Sequence, residues 1–247
     1  MEKLVVKDLS CAYNPKSKKK ARIVLRHVSF EVNAGEFFVI LGRSGCGKTT
    51  LLKCIAGFEK YIGKIYKDSI DFDEMETKDR DISYVTQYQR ILPNLTLFDN
   101  IAYPLKLSKT PYEQINARVE EAAKQVGIEL FLSRKPRQVS VGQEQRASIA
   151  KAMIKKSDLY LFDEPFSAQD AINRRELGDL LKELNRKSGS AFIYVTHDQD
   201  EALRLGDRIM ILNEEGMVAQ IGTQFEITQK PKNEYVRDFI CNEPLTM

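Results

Sequence analysis

Short apolar runs alternate along the chain with stretches in which apolar residues recur every three or four positions. The runs at 36–41 (EFFVIL), 82–86 (ISYVT), 159–162 (LYLF), 191–196 (AFIYVT) and 209–212 (IMIL) predict strands buried on both faces, as in a parallel sheet. Residues 4–9 and 28–32 predict strands of a small N-terminal sheet, and residues 217–221 a last strand after the turn Glu214-Glu215-Gly216. Residues 50–56 have helical composition, with Gly57 where a helix would end. From Tyr88 to about Lys156 the period is helical. There Thr110-Pro111-Tyr112-Glu113 predicts an N-cap threonine, a proline at the first helical position and a glutamate closing a capping box. Ile115, Val119, Ala122 and Val126 follow at helical spacing, ending at Gly127. Thr223-Gln224-Phe225-Glu226 is a second capping box and opens a terminal helical region. The pattern thus predicts an α/β core (1–87 and 157–222), a helical insert (88–156) and a helical tail (223–247).

Composition narrows the class. At 247 residues, 43% hydrophobic and 30% charged, the chain has the make-up of a globular protein with an ample core. A net charge of +3 gives no argument for a nucleic-acid partner. Cys11, Cys46, Cys54 and Cys241 form no C-x-x-C pair, and two histidines supply no zinc pattern, so reduced thiols in a cytoplasmic protein are expected. No apolar run approaches the ~18 to 20 residues that span a bilayer. The opening MEKLVVKD carries charge too early for a signal peptide. The expectation is a soluble chain that stays inside the cell and reaches a membrane only through a partner. The basic tract at 14–22, with Lys16, Lys18, Lys19, Lys20 and Arg22, reads as a solvated hairpin loop. The weaker alternative is contact with anionic lipid, at roughly 1 kcal/mol per basic residue.

The first chemical signal is Gly42-Arg43-Ser44-Gly45-Cys46-Gly47-Lys48-Thr49-Thr50, which fits the phosphate-binding loop pattern at every defined position. Its glycines let successive backbone N–H groups turn toward one anion. Lys48 offers a charge to the terminal phosphates, and the Thr49 hydroxyl is a hard oxygen suited to Mg2+. A strand before the loop and a helix after it would set the phosphates at a helix N-terminus.

The second signal is Asp163-Glu164, ending a hydrophobic strand where strand C-termini converge on the ligand crevice. Asp163 suits Mg2+, held directly or through water. Glu164 suits a general base or a water-orienting group for attack on a γ-phosphorus. Thr196-His197-Asp198 ends the next strand, giving His197 a sensing or orienting role. Gln87 closes another strand and could reach Mg2+ or the attacking water. Ser140 and Gln143, around Gly142, have capping-box spacing, and a helix N-terminus of this kind also attracts anions. Because this turn belongs to the helical insert, it is expected to act in trans, on the nucleotide of a second copy.

Together these motifs resemble the ATP-binding subunit of an ABC transporter over essentially the whole length, in family order. Tyr13 corresponds to the A-loop aromatic, Gly42 to Thr49 to Walker A, and Gln87 to the Q-loop. Ser140 to Gln143 form the signature, 159–163 Walker B followed by Glu164, residues 167–170 with Asp170 the D-loop, and His197 the H-loop. The resemblance implies a RecA-like P-loop NTPase core with an N-terminal antiparallel β subdomain and an inserted α-helical subdomain. It implies Tyr13 stacked on adenine, ATP and Mg2+ as ligands, and two subunits sandwiching two ATP molecules. It also implies membrane permease subunits docked on the insert, with a substrate-binding protein acting indirectly. The chain departs from the family pattern at Val141 in VSVGQ, Gln169 in SAQD and Arg43 in Walker A. Stretches such as IYVTHDQDEAL resemble sugar-importer ATPases of the maltose and multiple-sugar type. Those continue into a C-terminal regulatory domain, and this chain ends near where it would begin. A soluble ABC-type ATPase acting on nucleic acid or ribosomes and a non-hydrolysing regulatory ABC subunit are the alternative readings.

Overall fold

The computed structural model describes residues 1–13, 22–86, 91–167 and 169–241. Gln87 and the basic tract up to residue 21 lie outside them.

Among the described residues the strands form two sheets. The first is antiparallel and four-stranded: β1 (Lys3–Tyr13) pairs with β2 (Arg22–Asn33) on one side and β4 (Ile62–Lys67) on the other, and β5 (Ile70–Asp71) closes the far edge. The second has six strands in the order β10 (Val218–Gly222), β9 (Arg208–Leu212), β3 (Phe37–Leu41), β8 (Ala191–Thr196), β7 (Leu159–Asp163) and β6 (Ile82–Thr86). All its pairings are parallel except β9 with β10.

The continuous apolar runs are explained by this sheet, which is covered on both faces. Alternate side chains of a strand point to opposite faces. Phe37, Val39, Leu41, Tyr160, Phe162, Phe192, Tyr194, Ile209 and Ile211 enter one core. Phe38, Ile40, Leu159, Leu161, Ile193, Val195, Met210 and Leu212 enter the other. The first core is shared with α2 (Leu97–Leu107), α3 (Tyr112–Gln125), α4 (Val141–Met153) and α5 (Ala171–Ser188). It also takes in α6 (Gln199–Leu205), α7 (Gln224–Gln229) and α8 (Glu234–Cys241). The second is shared with α1 (Lys48–Ala56) and the antiparallel sheet. Each large side chain buried this way contributes about 1.5–3 kcal/mol. Among the described residues no helix is long and apolar enough to cross a membrane.

Register sets the function-bearing edge. Leu41 pairs with Thr196, Asp163 with Val195, and Thr86 with Asp163, so the C-terminal ends of β3, β8, β7 and β6 stop at one level. The Ser140 and Thr223 capping boxes form as their spacing predicts. The one at Thr110 does not: α3 starts at Tyr112 with Pro111 in the cap position and no side-chain cap bond. The Thr110 hydroxyl is engaged instead with Ser108 Oγ at 3.1 Å, and its N–H returns to the Leu105 carbonyl at the end of α2. Along α3, Ala123 rather than Ala122 completes the deeply buried stripe with Ile115 and Val119.

Candidate functional site

The loop from Gly42 to Thr49 leaves β3 and enters α1. Two glycines are required by its shape. A Cβ on Gly42 would meet the Leu212 carbonyl at 2.5 Å and Cys46 Sγ at 2.9 Å. Gly47 has φ +111, and a Cβ there would lie 2.8 Å from Leu25 and 3.0 Å from the Val24 carbonyl. Ser44 and Gly45 form the exposed crest of the turn, and Cys46 is buried beneath it, its thiol pushed up by burial. Gly47 caps α1 with no side-chain bond, and the first turn carries no acid, so its N–H groups are open to an anion.

Lys48 is only 4% exposed and points back into the loop: its Nζ donates to the carbonyls of Gly42 at 2.7 Å and Arg43 at 3.1 Å. Glu164 Oε1 lies 3.6 Å from the same nitrogen. Thr49 Oγ1 donates to Asp163 Oδ1 at 2.8 Å, and the Tyr84 hydroxyl donates to Oδ2 at 3.0 Å. Burial holds the Asp163 carboxyl above the usual carboxylate range, while the bonds from Thr49 and Tyr84 pull it back down. The Tyr84 hydroxyl is pushed upward by burial and by that carboxylate. Glu164 takes a left-handed backbone, φ +46, with its N–H bonded to the Val195 carbonyl at 3.1 Å. A non-glycine residue held there stores about 1–3 kcal/mol of strain, and such residues cluster at functional sites. The bend brings Glu164 Oε2 to 3.1 Å from His197 Nδ1.

The structure therefore gathers Lys48, Thr49, Asp163, Glu164 and His197 at one sheet edge. Tyr13 lies beside them at the end of β1, sharing a 3.1 Å hydrogen bond with Thr50 Oγ1. Arg43 faces outward and pairs with Glu214 at 2.7 Å. Asp170 caps α5 by accepting from the Asn173 N–H. Ser140 and Gln143 bond each other's backbone at the start of α4, and a Cβ on Gly142 would meet only Asn173 Oδ1, at 3.8 Å. That turn connects to the cluster through Gln145, whose Nε2 donates to the Pro165 carbonyl at 2.8 Å. The local pattern does not mark Tyr84, Gln145 or Arg174; each joins the site through a contact between distant segments, Arg174 by donating to Asp198 Oδ2 beside His197. The paired Thr49 and Asp163 oxygens are a hard donor set that fits Mg2+, and the open N–H groups of α1 fit a phosphate beside it.

The family model described as ABC transporter matches residues 25–167. The chain belongs to the ABC transporter family. Within the family it is 44% identical over 228 residues to the trehalose/maltose import ATP-binding protein MalK of Thermococcus litoralis, covering 90% of this chain and 61% of that one. It is 43% identical over 241 residues to the spermidine/putrescine import ATP-binding protein PotA of Haemophilus ducreyi, covering 97% of this chain and 65% of that one. The cassette thus spans less than two thirds of the length of these relatives. Its fold is that of the ATP-binding cassette MJ0796, solved as a dimer in a post-hydrolysis state with ADP and Pi. That structure has a TM-score of 0.77 and 31% identity, over 90% of this chain and 98% of that one.

Proposed function

We propose that this ABC cassette hydrolyses ATP to ADP and phosphate as the motor subunit of an importer. The observation that carries the reading is Glu164, held between Lys48 and His197 beside the Thr49–Asp163 oxygen pair. The triphosphate lies along the 42–49 loop with Tyr13 against the base. Lys48 turns from its carbonyl partners to the terminal phosphates. Thr49, Asp163 and Gln87 would hold Mg2+, which would withdraw negative charge from the transferring phosphoryl group. Glu164 accepts the proton of the attacking water, His197 steadies that carboxylate, and the bond from the γ-phosphorus to the ADP oxygen breaks.

A second copy completes the site with Ser140, Gly142 and Gln143. The uncovered Gly142 and the dimeric state named for the MJ0796 cassette support that arrangement. The insert expected at 88–156 is the part that docks on membrane permeases, so the chain works at the inner face of the membrane. The solute is a small organic molecule. Stretches of sugar-importer type and the MalK relative favour a sugar, and the PotA relatives at comparable identity favour a polyamine. Co-purification with the tagged chain, followed by uptake of labelled maltose and spermidine, separates the two. The enzymatic reading is tested by phosphate release from Glu164→Gln. A general base contributes about 10^2–10^4-fold, so release should fall by that factor while ATP binding persists. Rapid turnover by the variant would remove Glu164 from this role.

A further inference from the structure

Two helix caps meet beside the Glu164–His197 pair. Asp170 Oδ1 accepts from the Asn173 N–H at the start of α5, and Asp198 Oδ1 accepts from the Glu201 N–H at the start of α6. Arg174, one turn into α5, reaches back between them. One terminal nitrogen donates to Asp198 Oδ2 at 2.7 Å, and the other donates to the Gln169 carbonyl at 3.0 Å. The Arg174 and Asp198 side chains are 27% and 28% exposed, so water screens this pair less than a surface ion pair.

The turn carrying His197 is fixed from its other side as well. Thr196 Oγ1 accepts from the Asp198 N–H at 3.0 Å and donates to the buried Glu201 at 2.6 Å. His197 stands between these anchors. Arg174, Asp198, His197, Glu164, Ser167 and Glu201 line one small cavity of about 10 Å3, the room of a single water molecule. Arg174 Nε is buried without a partner among the described residues, a departure that calls for a reason other than saturated hydrogen bonding.

We propose that Arg174 is a positioning residue for the Glu164–His197 pair. Its planar fork locks the 169–170 turn and the 197–198 turn into one geometry, which keeps the imidazole against the carboxylate. The assignment rests on reading this site as an ATPase. Lysine cannot reproduce it, because a single ammonium does not present two donors in a fixed plane. Asp198 is the matching half of the device.

The full chain with Arg174→Met, Arg174→Lys and Asp198→Asn tests the proposal by ATP turnover and by NMR of the imidazoles. Misplacement of a reacting group costs about 100-fold, so kcat for Arg174→Met should fall by that factor, with KM for ATP unchanged. Arg174→Lys should fall in between. Asn caps a helix as well as Asp, so Asp198→Asn keeps the start of α6 and should reproduce the Arg174→Met defect. The double variant should be no slower than either single one. The chain has two histidines, so the His197 signals are read directly against His27, which also reports folding. They should move in both variants while those of His27 stay. An unchanged kcat with unmoved His197 signals would overturn the assignment, as would losses that multiply in the double variant. Should Arg174→Met fail to fold, Arg174→Lys and Asp198→Asn carry the same comparison. If the unaltered chain released no phosphate, the ATPase reading would fall, and the His197 signals alone would still decide the role of Arg174.

Discussion

Replacing Tyr194 with phenylalanine removes one oxygen from the fully buried core and leaves the ring in place. That ring lies 5.8 Å from Phe37, 6.3 Å from Phe162 and 6.2 Å from Phe166, contacts that phenylalanine keeps. The hydroxyl it removes donates to Glu201 Oε1 at 3.0 Å. Glu201 is 6% exposed; burial holds its carboxyl above the usual range, and the bonds from Thr196 and Tyr194 draw it back. A carboxyl raised in the folded state binds a proton that the unfolded chain has already lost. Its contribution to stability therefore declines as pH rises from the ordinary glutamate value through the raised one, and then levels. Losing the Tyr194 donor raises the carboxyl further, so the variant's deficit grows across that window. A hydrogen bond to an ionised acceptor is worth about 1.5–3 kcal/mol and one to a neutral acceptor about 0.5–1.5 kcal/mol. The deficit should thus be about 1.5–3 kcal/mol above that window, where the carboxyl is ionised, and about 0.5–1.5 kcal/mol below it, where the carboxyl is protonated. Urea unfolding on the two sides of the window, with m unchanged, measures it. A deficit of equal size at the two would refute the reasoning.

Two further substitutions probe the nucleotide site. Lys48→Ala removes a charged donor worth about 1.5–3 kcal/mol and should weaken binding of a fluorescent ATP analogue by about 10- to 150-fold. Tyr13→Ala should weaken it through lost stacking on the base, about 1–3 kcal/mol or about 5- to 150-fold.

Most strands of the parallel sheet could be read from the sequence because both faces are covered, leaving near-continuous apolar runs at β3, β7, β8 and β9, while β6 at the sheet edge alternates. β4 and β5 gave no such signal. They lie in the antiparallel sheet and leave Ile62 and Ile70 exposed, so their apolar residues do not mark a buried face. The α5 helix escaped for a related reason: a narrow stripe of Leu177, Leu181 and Leu184 is set among charged residues. In the site, Lys48, Thr49, Asp163, Glu164 and His197 could be found because chemistry at strand ends follows from local pattern. Tyr84 and Arg174 act on partners 79 and 24 residues away, so only the folded chain brings them to their carboxylates. The Thr110 box shows the converse limit. Its spacing was right, but the end of the preceding helix claimed the hydroxyl and the N–H first.

If two copies close on ATP, one offering the Lys48 loop and the other the capped turn at Ser140, sedimentation of Glu164→Gln with saturating Mg-ATP should show a species of twice 28.3 kDa that returns to 28.3 kDa when ADP replaces ATP. A chain that stayed at 28.3 kDa with Mg-ATP would contradict it.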